Sequence, residues 1–364
     1  MTVQNIINEI EKLAPLDYAE EFDNVGLLVG DKNVEVQGIL IAHDCLESVV
    51  EEALEKKCNL IVSYHPILFK GLKRITGDTY VQKAVIKAVQ HRICIYATHT
   101  ALDNSFEGMN AMICKKIGLQ NKKILIPQKK SIRKLTTYVP EESVSKVRQA
   151  IFRAGGGSIG NYDCCSFNIQ GKGSFKGNEN ANPVLGIKGS LEWVDEIQLN
   201  ITYPRHKEKA LLNALFSTHP YEEVAYEITQ IENNNQHIGI GMNGVLPKEL
   251  SEKQFFAHLK ETFNLKVIRH SRLLGKPIKR VAVLGGSGAF GIAAAKACKA
   301  DVFVTGDLKY HDFFQAENQI ILADIGHFET EQFTKELLYS YLIEKFPNFA
   351  IVLSKENTNP IQYT

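Results

Sequence analysis

In the stretch GHFETE, residues 326–331, a histidine and a glutamate stand four positions apart just behind the apolar run IILADI. If a helix begins there, His327 and Glu331 stack on one face a turn apart, the spacing of two ligands for one metal ion. The same spacing also suits an exposed ion pair, because Glu331 lies four residues before Lys335. Three further stretches carry similar chemistry: THTALD sets His99 and Asp103 four apart, SYHP supplies His65, and DLKYH supplies His311. Imidazole and carboxylate donors together suit zinc, iron, manganese or their neighbours, and a carboxylate can bridge two ions where an imidazole cannot. The candidate ligands are His65, His99, Asp103, His327 and Glu331; for each histidine alone, a satisfied core or loop position is an equal alternative.

Two other motifs compete. GGSGAFG contains Gly286, Gly288 and Gly291 in G-x-G-x-x-G order, with Asp307 about 20 residues on, the layout of a dinucleotide fingerprint. Its late position in the chain, and the LKYH that follows Asp307, favour a tight turn near the site instead. THPYEEVAYE gathers His219, Glu222 and Glu223. Neighbouring residues on an extended chain point apart, so these carboxylates read as structural or rim groups.

The elements that must position these residues alternate. GILIAHD, CNLIVSYHPI and ICIYATHTALD read as strands separated by the helices ESVVEEALEKK and YVQKAVIKAVQ. RVAVLGG, DVFVTGD and QIILADIG repeat the rhythm, and a long helix is expected from FETEQFTKELLYSYLIEKF. The pattern predicts two similar α/β lobes, residues 1–128 and 243–364, with the candidate ligands at matching strand ends, where open α/β sheets place their sites. Between them, residues 129–242 read β-α-β-β-α-β, a ferredoxin-like inserted α+β domain with an exposed Gly-rich loop and a polar linker back.

Lysine and arginine total 42 against 41 acidic residues, a net charge of +1 that gives no field to recruit nucleic acid or anionic membrane. The densest basic cluster, from Lys122 to Lys134, lacks the interleaved aromatics of a stacking platform. Seven cysteines without a Cys-x-x-Cys pair argue against a disulfide scaffold, and no apolar run approaches membrane-spanning length. The expectation is a reduced, cytoplasmic protein.

Taken together, FDNVGLLVG, SYHPILFKGLKRI, ATHTALDN, NANPVLGIKG, HPYEEVAYE, GGSG, VTGDLKYHD and GHFETE resemble the Nif-three-like family, whose members are often named GTP cyclohydrolase type-two homologues. The resemblance covers nearly the whole chain. It implies a dinuclear divalent-metal site between two α/β lobes, a ring-shaped homo-hexamer with its sites facing a cavity, and an insertion similar to PII/CutA-type domains. His65 matches the second histidine of the family's HHP, Asp103 the aspartate of HTxxD, and His327 and Glu331 the final GHxxxE. The first histidine of HHP is Tyr64 here; a neutral phenol, with a pKa of about 10, is a poor ligand. One metal position is therefore expected to be weaker, with His99 as the residue to compensate. A two-metal site fits hydrolysis, with Glu331 bridging and a small, nucleotide-type substrate implied by the family name. The second reading is a non-catalytic metal-binding or regulatory ring.

Overall fold

Parallel strands covered on both faces need apolar residues at every position, and three runs obey this rule. Ile39–Ala42, Leu60–Ser63 and Cys94–Ala97 are each buried along their full length. The computed structural model describes residues 1–364, which divide into two units: Met1–Pro127 with His237–Thr364, and Gln128–Gln236. In chain order the strands are β1 (Gly26–Val29), β2 (Ile39–Ala42), β3 (Leu60–Ser63), β4 (Cys94–Ala97), β5 (Gln120–Pro127), β6 (Ile132–Pro140), β7 (Phe167–Phe175), β8 (Glu192–Pro204), β9 (Tyr226–Ile231), β10 (Gly239–Leu250), β11 (Arg269–His270), β12 (Ile278–Ser287), β13 (Val302–Gly306), β14 (Ile321–Asp324) and β15 (Ile351–Leu353).

The first unit holds two sheets. One runs β1-β4-β3-β2-β15, parallel except for β1; the other runs β11-β14-β13-β12-β10-β5, with β12, β13 and β14 parallel and the rest antiparallel. The sheets exchange strands: β15, from the end of the chain, completes the first, and β5, from the early segment, completes the second. Helix Val3–Leu13 shows why the interior closes. Val3, Ile6, Ile7 and Ile10 fall on one stripe at helical spacing, and they pack in one cluster with Ile39, Leu60, Val281 and Val302 from both sheets.

In the second unit the sheet order is β7-β8-β6-β9, every pair antiparallel, with helices Val144–Arg153 and Glu208–Thr218 following β6 and β8. Leu135, Val147, Leu199 and Leu211 centre its own core. The Gly-rich segment 176–191 is the connection from β7 to β8.

Two expected elements differ. The strand ending in THTALD stops at Ala97, and His99–Asp103 is a helical turn. The long C-terminal helix is interrupted, as His327–Glu331 and then Thr334–Lys345. Thr330 and Thr334 donate their hydroxyls to the carbonyls of His327 and Glu331, each at 2.6 Å. Such back-bonding three residues upstream competes with the helical ladder and bends it.

Candidate metal centre

The ends of parallel strands carry this site. His43 and Asp44 follow β2, Tyr64 and His65 follow β3, His99 follows β4, Asp307 follows β13, and His327 follows β14 through Ile325 and Gly326. Glu331, 3% exposed, is the point on which they converge. Its Oε2 lies 3.2 Å from His327 Nε2, 3.3 Å from His65 Nε2 and 3.6 Å from His43 Nε2. Donor atoms of His65, His327 and Glu331 all fall within 4.8 Å of one another.

The far side of three of the imidazoles is anchored. His65 Nδ1 meets Asp44 Oδ1 at 2.7 Å, His99 Nδ1 meets Asp23 Oδ1 at 2.8 Å, and His327 Nδ1 meets Asp307 Oδ2 at 2.7 Å. A carboxylate behind the ring fixes the tautomer and aims Nε2 forward, the support that metal-bound histidines use. The anchors are themselves held: Thr358 donates to Asp44 Oδ2 at 2.5 Å, Ser287 donates to Asp307 Oδ2 at 2.5 Å, and the Thr100 backbone N–H donates to Asp23 Oδ2 at 3.0 Å. His99 stands at φ +26°, a conformation that costs a side-chain-bearing residue and recurs where function over-determines the backbone.

Asp103 reaches the cluster through Tyr64. The fully buried Tyr64 hydroxyl donates to Asp103 Oδ1 at 2.5 Å and lies 3.4 Å from Glu331 Oε1. Burial pushes the Asp103 carboxyl up to about 7 and drives the Tyr64 phenol well above its ordinary range. Burial would also raise Glu331, but the adjacent His327 and His65 imidazoles, with their charges, hold it far below the usual carboxylate range. Against the lowering effect of burial, the bond to Asp44 and the adjacent Glu331 carboxylate push His65 up to about 10, and Glu331 together with the bond to Asp307 pushes His327 up to about 9. The pocket thus carries concentrated negative charge that its imidazoles answer with protons, and a cation answers the same charge without them. His43 goes the other way, down to about 4, through burial and the charge of His65.

A metal fits these residues on one direct observation. Glu331 Oε2 is a buried carboxylate oxygen with no hydrogen-bond partner, facing three imidazole nitrogens. Donors sharing one ion at metal–ligand distances near 2.1 Å sit about 3.4 Å apart in a tetrahedral arrangement, which matches this spacing. Gly286 makes room for it: its φ is +68°, and a Cβ there would collide with Glu331 Oε1 and lie 3.4 Å from His327 Cε1. The GGSG turn therefore serves the cluster. Asp307, the candidate ribose acid of a nucleotide fingerprint, is spent on Ser287 and His327. A cleft of about 300 Å³ opens beside His327, lined by Arg269, Asp307, Asp324 and Tyr363.

Of the residues singled out in the sequence, His65, His327 and Glu331 meet directly, Asp103 meets them through Tyr64, and the His99 ring lies 5.2 Å from that of His65. His311 is left out, exposed in the turn Tyr310–Ala316 against Tyr310 and Phe314. His219, in the second unit, bonds the Tyr138 carbonyl at 3.0 Å, and Glu222 accepts from the Asn182 N–H at 2.6 Å, both structural roles. The sequence reading missed His43, Asp44 and Asp23. The first two were within reach, since IAHD ends its strand as SYHP does; Asp23 follows a turn and gives no periodic signal.

A family model described as Duf34/NIF3 (NGG1p interacting factor 3) matches residues 1–360. The chain is 37% identical over 366 residues to a GTP cyclohydrolase 1 type 2 homolog of Bacillus subtilis, covering 99% of this chain and 98% of that protein. A homolog of the same name from Halalkalibacterium halodurans is 36% identical over 365 residues, covering 99% and 98%. Among solved structures, a Bacillus cereus protein related to NIF3 superposes with a TM-score of 0.87 at 34% identity, covering 100% of this chain and 99% of the other. Staphylococcus aureus protein SA1388 superposes with a TM-score of 0.79 at 32% identity over the same shares.

Proposed function

The chain belongs to the Duf34/NIF3 family, and from that premise we propose that it is a divalent-metal protein acting as a metal-dependent hydrolase on a small, nucleotide-type substrate. His65, Asp103, His327 and Glu331, with His99, would hold two divalent ions of the zinc, iron or manganese kind, with Glu331 as the carboxylate common to both. The observation that carries the reading is the buried Glu331 Oε2, without a hydrogen-bond partner and faced by His65 and His327, whose other nitrogens are tied to aspartates. Bound divalent ions supply Lewis acidity and an acidified water at neutral pH. The protein's own residues do the rest. Asp44, Asp23 and Asp307 orient the rings. Arg269, held by Asp324 and by the Leu308 carbonyl, places a cation in the cleft beside His327, where an anionic substrate group would be steadied. The family name borne by the relatives points to a purine nucleotide.

The second unit has the element order and strand order of a ferredoxin-like domain, and we assign it as an insertion of the PII/CutA kind between two metal-binding lobes, 1–128 and 243–364. We place the protein in the cytoplasm as a homo-hexameric ring. No helix is long and apolar enough to cross a membrane, and all seven cysteines are free.

One observation favours the regulatory alternative. The second unit has its own cleft of about 630 Å³, bordered by Tyr138, Glu196, Tyr221 and Glu222, with none of the metal candidates in it. Metal-loaded protein screened against nucleotides and other metabolites tests both. Turnover that vanishes in Glu331→Gln supports the hydrolase, whereas metal binding without turnover of any metabolite, with ligand binding confined to the second unit, supports the regulator.

A further inference from the structure

We infer that His43 is a metal ligand of this chain and supplies the imidazole that Tyr64 does not. The inference rests on the metal reading above and adds a residue to it.

His43 is 3% exposed, and its position is not that of a satisfied core histidine. Its Nδ1 has no hydrogen-bond partner. Its Nε2 points at Glu331 Oε2 from 3.6 Å, too far for a hydrogen bond and suited to two donors on one ion. Glu331 Oε2, the atom that His43 Nε2 faces, is itself without a hydrogen-bond partner, and Nδ1 is open on the other side of the ring. Native interiors pair such groups, and a buried imidazole and a buried carboxylate that both keep an open atom fit a shared cation better than a core hydrogen bond. Apolar contacts hold the ring in place. It stacks on Tyr64 with centroids 5.4 Å apart and an interplanar angle of 30°, and the Phe328 ring meets it edge-on at 5.0 Å.

The topology explains how a ligand at 43 stands in for one at 64. β2 and β3 are parallel neighbours, paired through Ala42 and Ser63, so residues 43 and 64 leave the sheet side by side. Tyr64 N–H donates to the Ala42 carbonyl at 3.1 Å, and His65 N–H donates to the His43 carbonyl at 3.0 Å. Meanwhile the Tyr64 hydroxyl is engaged by Asp103. An imidazole one strand over therefore approaches Glu331 from the adjacent strand end. Asp44, the neighbour of His43, turns to His65 Nδ1 and Thr358, which leaves Glu331 as the group His43 faces.

The test uses the full chain, stripped of metal and reloaded with Zn²⁺ or Co²⁺. Zinc affinity is read by competition with a chromophoric chelator, and the coordination sphere by the visible absorption of the cobalt form. His43→Phe keeps an aromatic ring against Tyr64 and Phe328 and is expected to lose zinc affinity on the order of 100-fold and to change the cobalt spectrum. His43→Gln, which retains a polar group, checks the result should the Phe variant fold poorly, and is expected to weaken binding in the same direction. Adding Tyr64→His to His43→Phe is expected to restore affinity to within a few-fold of the parent. A His43→Gln or His43→Phe protein with parental affinity and spectrum overturns the inference while leaving the metal reading intact, provided Glu331→Gln abolishes binding. Loss without rescue by Tyr64→His overturns the substitution of 43 for 64. A parent chain that binds neither ion overturns the metal reading and this inference together.

Discussion

Replacing Gly286 with alanine separates what the site demands from what the backbone demands. Gly286 sits at φ +68°, where a Cβ would strike Glu331 Oε1; Gly275 sits at φ +69° in the same unit, with nothing within 4 Å of an added Cβ. Both substitutions carry the cost of a left-handed residue, about 1–2 kcal/mol. Only Gly286→Ala adds a steric collision with a buried carboxylate, about 1–3 kcal/mol on the scale of overpacked cores. Gly286→Ala should therefore cost roughly 2–5 kcal/mol and Gly275→Ala roughly 1–2 kcal/mol in guanidinium unfolding of the metal-free protein. The collision displaces the carboxylate that the imidazoles face, so zinc affinity should drop by at least about tenfold in Gly286→Ala and stay unchanged in Gly275→Ala. Equal destabilisation of the two variants, with parental zinc affinity in both, would refute the assignment of Gly286 as the residue that makes room for the ligand set.

Glu331→Ala should empty every metal position, because Glu331 alone faces both Tyr64 with Asp103 and the three imidazoles; elemental analysis decides this, and one ion retained at full occupancy would show that Glu331 does not bridge. Tyr64→His in the parent background should leave metal content and zinc affinity within a few-fold of the parent, because His43 already supplies the imidazole that Tyr64 does not; a rise in content toward two ions per chain would show that His43 does not stand in for residue 64. Removing residues 128–236 should leave a folded, metal-binding protein, because Pro127 and Gly239 are paired neighbours on β5 and β10 and a short turn can join them; a soluble, well-folded shortened chain that binds no metal would contradict it. Burial lowers the pKa of His219 from its ordinary 6.5 in spite of its bond to the Tyr138 carbonyl, so the unfolded state takes up the proton first and the second unit should lose stability as pH falls below about 6.5. Amide exchange across Gln128–Gln236 between pH 7 and 5 reads this, and the pH trend should flatten in His219→Asn.

What could be read from the sequence was whatever depends on neighbours in the chain. The apolar runs at Ile39–Ala42, Leu60–Ser63 and Val302–Gly306 announce buried strands by composition alone, and a donor placed after such a run is at a strand end by construction. His65, His327 and Glu331 were found that way. The positions that escaped are set by pairing across the fold. Nothing near Ile351–Leu353 or Gln120–Pro127 tells which sheet each will join, because the partner strands lie far away in sequence. His43 stands after an apolar run as His65 does and was within reach for that reason; what separates it from a core histidine, its unpartnered Nδ1 and its approach to Glu331, shows only in the fold. The orienting aspartates are likewise visible only once the rings they support have been placed.

The strand exchange between the two sheets also fixes the order in which the protein can come into being during synthesis. The first sheet stays open at the β2 edge until Ile351–Leu353 has emerged, and the second lacks the strand pair β5–β10 until the intervening segment has been made. His65 must wait for Glu331, 266 positions later, before the carboxylate it faces exists. A ribosome therefore carries an unfinished pocket through nearly the whole chain. Until the late strands close on the early ones the imidazoles stay scattered, and the pocket proposed to hold metal is not yet formed.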